Sequence, residues 1–418
     1  MQIDTQKKLI IIVGSLVLLG IVGLFIFLTL RSNKSTPSTG QAVSIPGIGN
    51  LPIAGPGVTP IITTTTPTSF PQTITPGTTL IPGTTETIPG QGTTPRDNKI
   101  GSITQGNSAG QTLASSGGVQ FYDRNDNKFY KISPDGTKTE LSTKEFYNVG
   151  DVTWAPGKDE AVLYYPDGTK TIYNFTTDKQ YTLPKHWYDL QFSPAGDALS
   201  FISYGANPDD TWFGIVNSDG TGAQAIEKLG QNADKAIVSW SPNNQIIGMF
   251  VDAVDFDRNQ VFFIGKNGEN FRSMMANGRG FQPLWSPSGQ ELLYSVYNSA
   301  DNMRPQVWVT QASGDNIGNN LRPLNVETFA SKCTYLSEQE VICGVPTSLP
   351  DGAGLVPALA DETTDNIYLI NTITGSKIAL DMSGRFNVAS PMYSTSEHAL
   401  YFFNNLDGTS HRIDIPQR

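Results

Sequence analysis

A short hairpin sequence returns several times in this chain and restricts the folds that the chain can adopt. The best copy is residues 283–294, PLWSPSGQELLY, in which two apolar runs flank Ser-Pro-Ser-Gly. The proline presets φ for a type I turn, and the glycine suits the left-handed position that follows. The pattern therefore predicts two antiparallel strands joined by a tight turn. Further copies occur at residues 152–157, 190–196 and 238–244, with weaker copies around Tyr335 and Tyr393.

One aromatic residue marks the same position in each copy and sets the length of the repeat. Successive markers are 38, 48, 45, 50 and 58 residues apart. After each hairpin come another apolar run, a Gly-containing turn and a short polar run, which makes about four strands per repeat. Four-stranded repeats of about 40–50 residues are typical of β-propeller blades, with the excess in loops. The six markers are Trp154, Phe192, Trp240, Trp285, Tyr335 and Tyr393.

The number of blades includes one unit without a marker. Residues 111–141 fit four strands, so we predict an all-β chain with a seven-bladed β-propeller over residues 97–418; six blades is the alternative. The last unit shows only three strands before the chain ends. Residues 99–104 are the candidate for its missing outer strand. Pairing of the two ends would close the ring and remove exposed sheet edges.

The repeated hairpin resembles a known family. Trp-Ser-Pro-x-Gly followed by Leu-x-Phe/Tyr is similar to the WD40-like PD40 repeat of TolB-type β-propellers, over roughly residues 98–418. The repeats at Tyr335 and Tyr393 depart from that pattern because they lack the proline. The resemblance implies a propeller that binds proteins or other ligands at the ends of its central channel. It implies no shared catalytic residues.

The N-terminal segment differs in composition from the rest. Residues 9–30 form an uncharged apolar run of 22 residues, long enough to cross a hydrocarbon core of about 30 Å as a helix. The run exceeds a usual signal-peptide core and lacks an Ala-x-Ala-like site, which favours an uncleaved anchor over a cleaved signal peptide. The short residues 1–8 favour a cytoplasmic tail. We therefore predict a single-pass cell-membrane protein whose larger part is extracytoplasmic.

Residues 31–96 form a linker between the predicted membrane helix and the predicted propeller. They are rich in Thr, Pro and Gly and have no periodic apolar pattern, so we predict a disordered extracytoplasmic stalk. The density of threonine also suits O-glycosylation, although an unmodified linker is an equal alternative. Residues 1–96 hold five basic and two acidic residues, a net charge of +3. Because the whole chain has a net charge of −10, residues 97–418 have a net charge of −13. An acidic domain repels phosphate backbones, which argues against nucleic acid as a partner.

The chain has only two cysteines, and the hairpin register predicts how they lie. In residues 283–294 a three-residue loop is expected, which sets Pro283 opposite Leu293. The same frame sets Cys333 opposite Cys343, near the distance that a disulfide spans. An oxidising exterior favours a disulfide between Cys333 and Cys343; two buried free thiols are the alternative.

The sequence carries no recognisable catalytic or metal-binding motif. Its three histidines show no metal-ligand spacing, and it has neither a Gly-x-Ser-x-Gly elbow nor a phosphate-binding loop. The carboxylates of residues 251–258 match no EF-hand spacing, so an acidic surface turn is the better interpretation. We therefore predict no catalytic residue, no metal and no cofactor.

Two segments are candidates for partner binding. Trp187 and Tyr188 lie in an aromatic, charged segment just before a predicted strand, and packing between blades is the alternative for either ring. Residues 344–364 form an unusually long loop, which is either a partner contact or a plain surface excursion. The side chains of this loop that are candidates for the contact are Leu349, Leu355 and Val356.

These features lead to one function and two alternatives. The leading hypothesis is a membrane-anchored propeller that binds a protein or an envelope polymer and carries out no reaction. A hydrolase or lyase acting on envelope glycans, with carboxylates converging on one face of the ring, is the enzyme alternative. The third possibility is a structural spacer within a larger membrane complex.

Overall fold

The computed structural model describes residues 101–104, 106–380 and 384–415. In these residues the chain forms seven four-stranded antiparallel sheets. In six sheets the strand order follows the chain, whereas the seventh combines the last three strands with the first. The sheets are the blades of a closed seven-bladed β-propeller, which confirms the predicted fold class.

Blades are numbered along the chain, and the strands of a blade are counted 1 to 4 from the innermost outward. Strand β1 is Gly101–Ser102, the outer strand of blade 7. Blades 1 and 2 are β2 (Ser108–Leu113), β3 (Val119–Asp123), β4 (Lys128–Ile132), β5 (Lys138–Glu140), β6 (Asp151–Trp154), β7 (Glu160–Tyr164), β8 (Lys170–Asn174) and β9 (Lys179–Leu183). Blades 3 and 4 are β10 (Trp187–Phe192), β11 (Ala198–Ser203), β12 (Trp212–Asn217), β13 (Gln224–Lys228), β14 (Ala236–Val238), β15 (Ile246–Ala253), β16 (Asn259–Gly265) and β17 (Met274–Ala276).

The remaining three blades contain the longer strands and the disulfide. Blades 5 and 6 are β18 (Arg279–Trp285), β19 (Glu291–Tyr297), β20 (Pro305–Gln311), β21 (Arg322–Pro323), β22 (Cys333–Ser337), β23 (Glu340–Pro346), β24 (Asp365–Asn371) and β25 (Lys377–Ala379). Blade 7 adds β26 (Val388–Ser394), β27 (Ala399–Asn404) and β28 (Thr409–Asp414) to β1. The helical segments described are short 3-10 turns at Pro208–Asp210, Gly230–Lys235, Gly314–Asn316, Ala330–Lys332 and Pro357–Ala360.

The residues of the repeated turn have the roles that their chemistry predicts. Gly289 has a φ of +71°, so the glycine occupies the left-handed position after Ser-Pro-Ser. The serine after the marker caps the turn, because Ser286 Oγ accepts a hydrogen bond from Glu291 N at 3.1 Å. Ser241 Oγ accepts one from Ile246 N at 2.9 Å in the same way. The Trp-Ser-Pro pattern therefore encodes a self-capped hairpin.

The register predicted for the hairpin at Trp285 is wrong by one residue. Pro283 pairs with Tyr294 rather than with Leu293, because the loop after Ser286 holds four residues, not three. The hairpin of blade 6 turns more tightly, with Ser337 opposite Glu340 and a bulge before them. This shorter turn restores the predicted pairing in blade 6, where Cys333 lies opposite Cys343 and forms a disulfide with it.

The two ends of the described chain close the ring, as predicted. Gly101 pairs with Arg412 and Ser102 pairs with His411, so β1 completes the sheet of blade 7. The backbone continues this pairing, with Ile103 N donating to Ser410 O at 2.7 Å. The buried Thr104 then accepts a hydrogen bond at Oγ1 from Ser410 N at 2.8 Å.

The hydrophobic core is divided among the boundaries between blades. Of the eight clusters of buried side chains found in the described residues, seven lie one at each boundary, including the boundary between blade 7 and blade 1. At that closing boundary Phe121 and Tyr130 of blade 1 pack with Tyr401 of blade 7. Each blade therefore buries both of its faces only because it has two neighbours, which is why an isolated repeat would not fold.

Several predictions fall outside the described residues. The cytoplasmic tail (residues 1–8), the membrane helix (residues 9–30) and the linker (residues 31–96) are among them. In the part of the chain that the structure describes, we find no helix that is both apolar and long enough to cross a bilayer.

Candidate functional site

The strand order defines two ends of the ring. Neighbouring strands run in opposite directions, so their connections alternate between the ends. The loops between strands 2 and 3 and the blade-to-blade connections share one end, which we name the loop face. The turns between strands 1 and 2 and between strands 3 and 4 share the other end, the turn face.

An aromatic surface lies on the loop face at blades 2 and 3. Tyr188, at the start of inner strand β10, is 49% exposed, and Tyr204, directly after β11, is 40% exposed. The two rings meet edge to face with their centroids 5.3 Å apart. The ammonium group of Lys170 lies 4.4 Å from the centroid of Tyr188. Exposed rings held in this way form a rigid contact surface, which we name the tyrosine patch.

Carboxylates border the tyrosine patch. Asp151 pairs across the strands with Tyr164, whose hydroxyl accepts a hydrogen bond from Thr153 Oγ1 at 3.3 Å. Burial, together with the negative charges of Asp151 and Asp189, raises the pKa of Tyr164 to about 12. Both carboxylates therefore act electrostatically on one phenol. The patch thus combines aromatic rings with acidic neighbours.

Local backbone geometry and a buried lysine support the patch. Asp189 has a φ of +52° inside a bulge of β10, a conformation that is uncommon for residues other than glycine. Lys170 is almost fully buried and donates to Lys185 O at 3.0 Å. Burial lowers the pKa of Lys170, and the charge of Lys185 lowers it further.

The structure separates the residues that the sequence proposed for partner binding. Trp187 is buried and stacks on Phe201, with 3.8 Å between ring centroids, and Leu349 is buried in a small cluster with Phe329. Neither side chain is available to a partner. Tyr188 remains exposed, as do Leu355 at 59% and Val356 at 51%. The exposed residues lie in the tyrosine patch and in the long loop of blade 6.

The long loop of blade 6 is bonded to the neighbouring loop of blade 5 on the same face. Its backbone donates from Gly352 N to Asn302 O at 2.9 Å and from Gly354 N to Met303 O at 2.7 Å. Arg304 also pairs with Asp351 at 2.8 Å. A Cβ at Gly354 would lie 2.4 Å from Tyr297 Cβ, so only glycine allows this close packing. The loop is therefore fixed against blade 5.

An apolar surface follows these joined loops. In blade 4, Phe256 is 64% exposed, and its neighbour Asp257 accepts hydrogen bonds from the backbone and hydroxyl of Ser299 at 2.8 and 2.5 Å. These bonds connect the loop of blade 4 to that of blade 5, which in turn carries the loop of blade 6. We name this surface the aliphatic rim; its exposed residues are Val254, Phe256, Leu355 and Val356.

A polar cleft of about 360 Å³ opens on the turn face between blades 5 and 6. Its charged groups have partners: Glu338 accepts from Ser288 N and Oγ at 2.7 Å each, and Glu291 pairs with Arg322 at 2.7 Å. No aromatic ring lines it. The lining residues are Ser288, Gln290, Glu291, Gln311, Ser313, Asn316, Glu338, Gln339 and Ile373.

The acidic segment of blade 4 does not gather its carboxylates around one point. Asp252 pairs with Lys235 at 2.8 Å and Asp255 pairs with Arg258 at 2.6 Å, while Asp257 binds the blade 5 loop. Within residues 101–104, 106–380 and 384–415, no group of three or more His, Cys, Asp or Glu side chains is arranged to hold a metal ion.

Sequence reasoning missed most of the tyrosine patch and half of the aliphatic rim. Tyr204 and Lys170 lie outside the aromatic segment that contains Trp187, and only Tyr188 belongs to that segment. The sequence did contain a signal for this patch. When the repeats are aligned, the residues that follow strand 2 of each blade all lie on the same face. No such signal predicted that Phe256 is exposed, because residues 251–258 were interpreted only by their charge.

Comparisons with known proteins return only distant structural similarity. No family model and no curated protein matches the sequence. Among solved structures, an oligogalacturonate lyase from Vibrio parahaemolyticus has a TM-score of 0.49 at 10% identity, covering 78% of this chain and 95% of that one. Virginiamycin B lyase from Staphylococcus aureus has 0.49 at 12% identity, with 77% and 100% covered. The Swd1 β-propeller domain from Myceliophteria thermophila has 0.48 at 10% identity, with 76% and 100% covered.

TM-scores below 0.5 carry no argument about this chain, so the propeller assignment rests on its own seven sheets.

Proposed function

We propose that this protein is a membrane-anchored, extracytoplasmic propeller that binds a protein or an envelope polymer at its loop face and carries out no reaction. The observation that carries the proposal is the tyrosine patch. Tyr188 and Tyr204 remain about half exposed, although each is positioned by neighbours on a rigid scaffold. Tyrosine offers a large contact area with little entropy to lose, because its side chain has only two rotatable angles.

The anchor and the location belong to the same proposal. The apolar run of residues 9–30 supplies the membrane attachment and the stalk of residues 31–96 supplies the reach. The disulfide in blade 6 supports an oxidising, extracytoplasmic location for the propeller. The resemblance of the repeats to those of TolB-type propellers is consistent with binding at the end of a channel.

Electrostatics favours binding over the glycan-cleaving alternative. General acid catalysis on a glycan needs a pair of carboxyl groups near the bond, one of them with a raised pKa. In the described part of the chain, burial raises the pKa of two carboxyl groups, Glu227 and Asp365. Glu227 lies on the outer strand of blade 3 and Asp365 is buried against Lys332 in blade 6, so neither of them belongs to the tyrosine patch.

A binding measurement with matched tyrosine variants tests the proposal. Full-length protein in detergent is incubated with the native cell envelope, separated into its protein fraction and its polymer fraction. Replacing Tyr188 and Tyr204 together by alanine should lower the affinity for one fraction at least about tenfold. Tyr181→Ala is the matched control, because Tyr181 is 38% exposed on outer strand β9, away from the patch.

Two outcomes would count against the proposal. Equal binding by the double variant and by wild type would remove the tyrosine patch from the function. Release of soluble glycan fragments by wild type, abolished in Asp151→Asn with Asp189→Asn, would favour the enzyme alternative.

A further inference from the structure

A buried lysine joins blades 6 and 7 at the loop face. Lys332 is only 5% exposed and ends the short helix before inner strand β22. Its ammonium nitrogen lies 2.8 Å from Asp365 Oδ2, 3.0 Å from Asn387 Oδ1 and 3.0 Å from Val388 O. The binding surfaces described above do not include this cluster.

The carboxamide of Asn387 is held in one orientation. Its nitrogen donates to Ala360 O at 2.6 Å and to Thr363 O at 2.7 Å, which uses both amide hydrogens. Its oxygen therefore points to Lys332 and also accepts from Asn405 Nδ2 at 3.0 Å. Because a carbonyl bond is about 1.23 Å long, Asn387 Cγ lies within about 4.2 Å of the lysine nitrogen.

Asp365 is the second buried charged group of the cluster. Its Oδ2 accepts from Lys332 and from Val388 N at 2.6 Å, whereas its Oδ1 is buried without a hydrogen-bond partner. Burial raises the pKa of Asp365, and the positive charge of Lys332 acts in the opposite direction. A proton transferred from Lys332 to Asp365 would leave an uncharged amine beside the carboxamide.

We propose that Lys332 and Asn387 become joined by an isopeptide bond that crosslinks blade 6 to blade 7. The lysine nitrogen attacks Cγ of Asn387; a bond forms between Nζ and Cγ, the bond between Cγ and Nδ2 breaks, and ammonia leaves. The reaction needs no oxidant, reductant or further reactant.

The protons of this reaction balance through Asp365. The ammonium group of Lys332 starts with three protons: one passes to the Asp365 carboxylate, one leaves on the ammonia nitrogen, and one stays on the new amide. Asp365 passes one proton from Lys332 on to the leaving nitrogen, keeps another, and ends as a neutral acid. Asn405, which donates to Asn387 Oδ1, stabilises the negative charge that develops on that oxygen.

The buried environment supplies the driving force. A buried ion pair keeps two charges out of water, and their mutual attraction only partly offsets the cost of removing them from water. The crosslink removes both charges, because an amide and a neutral acid replace the ammonium and the carboxylate. Because the fold holds the nitrogen of Lys332 close to Cγ of Asn387, the reaction has the proximity that two free side chains would lack.

Peptide mass analysis of the full-length chain tests the crosslink. After reduction, alkylation and trypsin digestion, we expect a branched peptide that joins the segment around Lys332 to residues 386–412. Its mass is lower by one ammonia than the two parts together, and trypsin does not cleave after the modified Lys332. Linear peptides alone, with cleavage after Lys332, would overturn the proposal without any variant.

Two variants separate the crosslink from a plain ion pair. Lys332→Arg keeps a positive charge but cannot form the bond, so only linear peptides are expected. Asp365→Asn keeps the shape of the side chain but cannot carry the proton, so it should also yield linear peptides. A branched peptide in Asp365→Asn would refute the proton-carrying role of Asp365.

Discussion

The indole nitrogen of Trp285 donates a hydrogen bond to Ser239 Oγ at 3.0 Å, across the boundary between blade 5 and blade 4. Trp154 makes the equivalent contact from blade 2 to Gly110 O in blade 1. In blades 2 and 5 the aromatic marker therefore also bonds its blade to the preceding one. In blade 4 the marker differs, because Trp240 Nε1 donates to Asn244 Oδ1 of its own hairpin at 2.7 Å.

Replacing Trp285 by phenylalanine should lower the free energy of unfolding by about 1 kcal/mol, because it removes this hydrogen bond and leaves Ser239 Oγ without its donor. Urea denaturation followed by fluorescence measures the change. Trp308→Phe is the control, since Trp308 Nε1 is buried without a partner and its removal should be neutral or stabilising. Equal destabilisation by both variants would contradict the role of the bond.

Thr104→Val tests the closure of the ring. Thr104 is buried, and its Oγ1 accepts from Ser410 N in the last strand, so valine leaves that backbone group unpaired at nearly constant volume. The expected loss is about 1–3 kcal/mol, read from the melting temperature. Thr139→Val on the exposed strand β5 should change little. An unchanged melt of Thr104→Val would mean that the closing strand contributes nothing to stability.

Glu397 should make the closing boundary sensitive to acid. Burial raises its pKa, but hydrogen bonds from Tyr401, Gly118 N and Ser394 outweigh burial, so the pKa lies below the ordinary value of 4.5. A lowered pKa stabilises the folded state above pH 4.5, and this contribution disappears as the pH falls through the folded pKa. Melting temperatures of wild type and Glu397→Gln should therefore differ at pH 7 and converge below pH 4.5. A constant difference would refute the linkage.

The disulfide should stabilise blade 6 by constraining the unfolded chain. Replacing Cys333 and Cys343 by serine is expected to cost about 2–4 kcal/mol in the free energy of unfolding. Adding a reductant to wild type should cause a similar loss and should leave the double variant unaffected. Non-reduced tryptic peptides that carry two free thiols would show that no disulfide forms in the protein.

The aliphatic rim makes a separate prediction about partners. Leu355 and Val356 are exposed, so replacing both by serine should leave the melting temperature unchanged. If a protein partner binds this surface, its recovery by pull-down from the native envelope should fall. Leu349→Ser is the contrasting variant, because Leu349 is buried with Phe329 and its change should lower the melting temperature. Full recovery with the double variant would exclude the rim as the contact.

Local sequence was enough to predict the architecture of the propeller. The spacing of the marker from Trp154 to Tyr393, together with the Ser-Pro-Ser-Gly turn chemistry, predicts the blades. The deficit of one strand in the last repeat predicts the pairing of residues 99–104 with the C-terminal strand. These features depend on alternation and turn residues within about 50 positions of one another, which a single sequence displays directly.

Local sequence patterns could not predict the contacts between blades. Burial of Trp187, the meeting of Tyr188 with Tyr204, and the Lys332, Asp365 and Asn387 cluster join residues from different strands and blades. Even the register at Trp285 depended on one extra loop residue. The sequence by itself determined the repeat, the closing strand and the cysteine pair. The tertiary structure decided which side chains stay exposed, because each blade's surroundings are set by neighbours that no local periodicity specifies.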